Sequence, residues 1–124
     1  MICYKTRAVA IAVFVVLMVG RVHAQTSISA TQAKNHVGER ATVCGEVAST
    51  HYAVSSRGNP TFINLDKPYP NEMFTVLIWG SDRSKFGEPE ETYKSKHICV
   101  TGKISAYKGT PEIVAYEPAQ IKVQ

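Results

Sequence analysis

Asp and Glu are absent from residues 1–24, a stretch that holds three of the chain's 14 basic residues, Lys5, Arg7 and Arg21. That absence excludes reading the formal charge of +4 as a property of one folded body. A charge-free apolar run over residues 8–19 lies between the positive start and Val22-His23-Ala24, a small-residue cleavage pattern. Residues 1–24 therefore read as a secretory signal peptide. The run is short of the ~20 residues a helix needs to cross a bilayer. A retained membrane anchor is the alternative, with Arg21 and His23 flanking the run closely. The expected working molecule is residues 25–124, periplasmic or secreted from a bacterium, with no membrane attachment once the leader is gone.

Cysteine is equally scarce. Of the three, Cys3 leaves with the leader and Cys44 and Cys99 remain. No Cys-x-x-Cys spacing occurs, which argues against a redox pair. Two cysteines in an exported domain of this size most simply form one disulfide, worth ~4 kcal/mol in the chain-entropy account; free buried thiols are the alternative. Also missing are a Gly-x-Ser-x-Gly, a His-Glu-x-x-His and a phosphate loop, and Glu46, Asp66 and Asp82 are scattered over different elements. No enzyme and no catalytic residue are expected. His51, His97, Cys44 and Cys99 match no zinc spacing, so neither metal nor cofactor is expected. Without the leader, 11 basic residues face 10 acidic ones. Binding to a polyanion would have to come from a local patch.

What is present is alternation. Residues 40–51 place Val43, Gly45 and Val47 on one side and Thr42, Cys44 and Glu46 on the other, a long strand. Shorter apolar strands follow over residues 61–65 and 74–79, then a second long strand over 97–107. Lys108-Gly109 makes a tight turn into a hairpin partner over 110–115. Before the first strand, residues 25–28 read as extended, Ser29 caps a brief helix over 30–36, and Gly38 stops it. Residues 52–60 and 66–72 are loops. Ser81 or Asp82 is expected to cap a helical turn over 83–86, and Glu88, Glu90 and Glu91 to sit in a solvated connection. The tail after Pro118 ends in a last strand turn through Ile121 and Val123.

On the first long strand Cys44 is out of phase with the aliphatic residues, and on the second Cys99 is too. Both sulfurs point outward and meet if those strands are antiparallel neighbours. A meander of three strands, a helical connection and a hairpin returning beside strand one is the layout of an all-β, five-stranded OB-fold barrel. It carries a short N-terminal helix and a helical turn between strands three and four. Gly45 and Gly102 would permit the coiling that lets one strand serve two sheets.

The phrases Val43-Cys44-Gly45-Glu46-Val47, Phe62-Ile63-Asn64-Leu65, Phe74-Thr75-Val76-Leu77-Ile78-Trp79, Val100-Thr101-Gly102-Lys103-Ile104 and Gly109-Thr110-Pro111-Glu112-Ile113-Val114 resemble small bacterial OB-fold proteins. These belong to the nucleic-acid-binding group that includes tRNA-anticodon-type domains and OB modules attached to secreted nucleases. The resemblance spans about residues 29–123. The acidic metal-binding set and Arg of staphylococcal-type nucleases do not map onto this chain.

The resemblance implies a ligand surface on the outer face of strands two and three, framed by the loops after strands one and four. The candidate ligand residues are Tyr52, Arg57, Phe62, Asn64, Trp79, Tyr107 and Lys108, with Thr75 as an alternative to Trp79. Rings beside cations suit single-stranded nucleic acid, since bases stack on the rings and phosphates follow the charge. The plausible cations are Arg57, Lys85, Lys103 and Lys108. Trp79 packing at a rim, Phe62 in the core and Tyr69 stiffening its loop are the competing roles. An envelope protein partner is the alternative ligand, and an oligosaccharide a third.

Overall fold

The computed structural model describes residues 8–18, Gly20 and residues 26–124. The basic start of the leader and its Val22-His23-Ala24 pattern lie outside the described residues. Among those described, no helix is long and apolar enough to cross a membrane.

The described residues form seven strands: β1 (Ser27–Ser29), β2 (Arg40–Tyr52), β3 (Thr61–Leu65), β4 (Phe74–Ile78), β5 (His97–Tyr107), β6 (Thr110–Val114) and β7 (Ile121–Val123). Two single-turn helices, α1 (Gly80–Arg83) and α2 (Pro89–Thr92), join β4 to β5. Strands β2, β3 and β4 are an antiparallel meander. β4 then pairs parallel with β6, β6 antiparallel with β5, and β5 antiparallel with β2, which closes the ring. This is the OB-fold barrel. The extended lead-in pairs as an edge strand, β1 parallel to β2, and the last strand turn through Ile121 and Val123 is β7, antiparallel to β5.

The ring closes around the predicted alternation. Val43 and Val47 of β2, Ile63 and Leu65 of β3, Val76 of β4 and Ile98, Val100 and Ile104 of β5 are buried. Fully burying one such aliphatic side chain stabilises by ~1.5–3 kcal/mol. Cys44 and Cys99 stand opposite one another in the β2–β5 register and are disulfide-bonded, with Cα atoms 4.0 Å apart. Beside them the Thr42 and Thr101 hydroxyls share a 2.8 Å hydrogen bond.

The two interior glycines are explained by close approach. A Cβ on Gly45 would lie 2.7 Å from Asp66 Oδ1, and one on Gly102 would lie 2.7 Å from Ile113 Cγ2. β2 exchanges partners just past Gly45: it pairs with β5 as far as Glu46 and with β3 from Val47. A register shift between Val47 and Ser49 leaves Ala48 as the additional residue of a bulge. From there on the inward and outward positions are exchanged, since a one-residue slip turns every following side chain to the other face.

Segments outside the strands close the barrel ends. The N-terminal helix is a 3₁₀ turn over Ala30–Asn35, started by a capping box in which Ser29 Oγ accepts from Gln32 N–H and Gln32 Oε1 accepts from Ser29 N–H. It buries Ala30 and Ala33. Two expectations for the β4–β5 connection are corrected. The first turn begins at Gly80 after Trp79, without a side-chain cap from Ser81 or Asp82. Gly80 N–H instead donates to Gly58 O at 2.9 Å, and this tie to the preceding loop starts the helix earlier. The acidic connection is also not uniformly solvated. Pro89 opens α2 and is buried, and Glu90 is half-buried in an ion pair with Arg83.

Candidate functional site

Across the outer face of β3 and β4 runs a groove of about 700 Å³, within the size range of small-ligand sites. β2 contributes His51 and Ser49 to it, β3 contributes Phe62 and Asn64, and β4 contributes Thr75. The β5–β6 hairpin adds Tyr107, Lys108, Thr110 and Glu112, and the β3–β4 loop adds Tyr69 and Glu72.

The registers arrange these side chains in rows. Ser49 pairs with Asn64, Asn64 with Thr75, Thr75 with Glu112 and Glu112 with Ser105, so one row crosses the whole face. The next row runs from His51 through Phe62 to Leu77 and Val114. A polar rung thus lies beside an apolar one.

Within the polar rung the hydrogen bonds have a direction. Thr75 Oγ1 donates to Asn64 Oδ1 at 3.0 Å, Asn64 Nδ2 donates to Ser49 Oγ at 3.1 Å, and Tyr69 N–H also donates to Ser49 Oγ at 3.1 Å. Asn64 is 3% exposed, and its amide is held at both ends. Such a group is a fixed part of the floor. Glu112, which stands between Thr75 and Ser105 in the row, has no hydrogen-bond or ion-pair partner among the described residues. Burial pushes its carboxyl above the ordinary glutamate range.

The rings stand around this floor. Tyr69 is 74% exposed and Tyr107 61%, while Phe62 is half-buried. Lys108 places Nζ 5.4 Å from the Tyr107 ring centroid. Both Lys108 (φ 47) and Gly109 (φ 81) have positive φ, the requirement of a two-residue type I′ hairpin turn. That turn puts the Lys108 cation on the groove rim.

Phe62, Asn64, Tyr107 and Lys108 are therefore brought together. Tyr52, Arg57 and Trp79 do not line the groove. Tyr52 follows the β2 bulge, which turns it away from His51 toward α1, where the Arg83 guanidinium lies 3.9 Å from its ring centroid. Trp79 is 39% exposed and covers Gly58, where a Cβ would come within 2.9 Å of the indole. Arg57 is exposed in the same loop, next to Ser56, which does line the groove. Of the other cations, Lys85 is tied to Asp82 at 2.9 Å and to the Tyr116 carbonyl at 3.3 Å, and Lys103 lies off the groove.

Tyr69, Glu72 and Glu112 also line the groove, outside the expected ligand residues. The outward phase of Glu112 beside inward Pro111 and Ile113 was the available signal for it. The loop residues offered none. Among the described residues no three His, Cys, Asp or Glu side chains converge to hold a metal ion.

No family model and no curated protein matches the chain. Its fold is similar to solved OB-fold structures. One is "OBody AM1L10 bound to hen egg-white lysozyme", with a TM-score of 0.56 and 19% identity over 82% of this chain and 94% of that one. A putative aspartyl-tRNA synthetase from Leishmania major Friedlin gives a TM-score of 0.52 and 9% identity over 86% of this chain. The asparaginyl-tRNA synthetase of Pyrococcus horikoshii gives 0.51 and 12% over 77%. The match spans 22% of each synthetase. At these identities the likeness shows the fold alone, that of an OB-fold domain.

Proposed function

We propose that this protein is a non-catalytic, exported binding module that takes single-stranded nucleic acid across β3 and β4. The observation that carries this reading is the groove itself: Phe62, Tyr69 and Tyr107 surround a polar floor on the sheet face, with Lys108 on the rim. Each base stacked on a ring contributes ~1–3 kcal/mol, so two or three rings support a short oligonucleotide. Synthetases of the same fold, named for tRNA, are in keeping with that ligand. The Cys44–Cys99 disulfide fits an oxidising compartment and with it export.

Electrostatics is the minor partner in this binding. Lys108 and Arg57 are the cations near the groove, and Glu72 and Glu112 offset them. Two phosphate contacts give a salt slope of about −1.4, or ~7-fold weaker binding between 50 and 200 mM salt. Fluorescence anisotropy with labelled pentanucleotides at low salt tests the reading. Association that weakens with Phe62→Ala and Tyr107→Ala supports it, and absence of association with every oligonucleotide overturns it.

A second reading, an envelope protein partner, is favoured by the same two carboxylates and by the near balance of charge over residues 25–124. A similar fold appears in an OBody bound to lysozyme. Pull-down from envelope extract with and without nuclease separates the two readings: a partner retained after nuclease treatment supports this one.

A further inference from the structure

The geometry points to Glu112 as the residue that decides which bases the groove accepts, through a hydrogen bond from an exocyclic amino group to its carboxylate. This rests on the nucleic-acid reading above. The polar rung shows why. Thr75 donates its hydroxyl proton to Asn64, and Asn64 donates an amide proton to Ser49. The donors of the rung thus run toward β2, away from Glu112. At the β6 end the floor offers oxygen lone pairs: Thr75 Oγ1 and, next to it in register, the Glu112 carboxylate. No described donor answers that carboxylate, and its side chain is only half-buried, so a ligand reaches it.

A base stacked on Phe62, one row along and two strands across from Glu112, would direct an edge toward this acceptor end. Cytosine presents its 4-amino group and adenine its 6-amino group, and each donates to a carboxylate. Uracil presents a 4-keto oxygen there, which meets the carboxylate as one acceptor against another. Burial raises the proton affinity of Glu112, and a donor from the base would offset that cost to its carboxylate. Lys108 stands on the rim by Tyr107 and supplies the backbone contact, which carries no base information.

Cytosine and uracil stack alike and differ at the 4-position and at N3, and N4,N4-dimethylcytosine, which keeps the cytosine N3, isolates the amino donor. In anisotropy titrations at pH 7.5, the wild-type chain is expected to bind deoxycytidine pentamer roughly tenfold tighter than deoxyuridine pentamer. Glu112→Gln, whose amide offers either a donor or an acceptor, brings the two within about threefold. Glu112→Asp keeps the preference for cytosine. A pentamer of N4,N4-dimethylcytosine, which has lost the donor, binds the wild-type chain like the uridine pentamer. This arm needs no variant and decides the matter if Glu112→Gln fails to fold. Equal binding of cytosine and uridine pentamers by the wild-type chain overturns the inference and leaves the proposed function standing. No binding of any pentamer overturns both. A lysine-rich peptide that binds in a Glu112-dependent way, where no pentamer binds, assigns the carboxylate to a protein ligand and overturns the inference as well.

Discussion

Replacing Cys44 and Cys99 together with alanine removes a crosslink between residues 55 apart in sequence. In the chain-entropy account a closed loop of that length costs the unfolded chain about 14 cal/mol/K, or ~4 kcal/mol at 25 °C. The native barrel loses little else: the two positions remain register partners in the β2–β5 ladder, and the neighbouring Thr42–Thr101 hydrogen bond is independent of the sulfurs. For a domain of this size each kcal/mol moves the melting temperature by ~4–8 °C, so the double variant should melt on the order of 20 °C lower. Circular dichroism melts of the purified chain, wild type against Cys44→Ala/Cys99→Ala, measure it. Wild type incubated with reductant should fall to the temperature of the variant. Neither cysteine lines the groove, so pentanucleotide affinity measured well below both transitions should match that of the wild type. A loss of less than about 5 °C would refute the claim that this crosslink is a principal support of so small a core.

Arg83→Ala strands the half-buried Glu90 carboxylate and uncovers Tyr52; a cost of about 2 kcal/mol is expected in urea unfolding, partly recovered by adding Glu90→Gln. Gly102→Ala forces a methyl against Ile113 Cγ2 and should cost about 1–3 kcal/mol, with Ile113→Ala in the same chain giving a less than additive loss. Because Glu112 binds its proton more tightly folded than unfolded, it favours the native state at acid pH, and that benefit is lost as pH rises through its raised pKa. Glu112→Gln should therefore raise the melting temperature at pH 7, and the difference should vanish below the unfolded-state value; an unchanged difference across that window would contradict the burial argument. Phe62→Ala and Tyr107→Ala should each weaken pentanucleotide binding by about 1–3 kcal/mol in anisotropy titrations.

Strand positions were legible because the alternation is strong and the loops are rich in Pro, Gly and Asn. β3 and β5 begin and end where the apolar period does, and the shared outward phase of Cys44 and Cys99 agrees with β2 and β5 as neighbours. The grouping of the site residues was harder to see. Uninterrupted alternation along β2 puts Tyr52 outward; the additional residue at Ala48 reverses it, and nothing local marks a bulge there, since the glycine sits three positions earlier. Glu90 looked solvated because acidic runs usually are, and its partner Arg83 lies on a separate helical turn brought near only by the path of the chain. Glu112 was hidden by its hairpin, whose turn chemistry drew attention to Lys108 at the tip.

Trp79 leans over Gly58, one edge against the β2–β3 loop and the other in water, and it is the only indole in the chain. Its emission is therefore an intrinsic gauge of how firmly that loop lies down. Lifting of the loop by a ligand seated beside Ser56 would redden the spectrum without any attached dye.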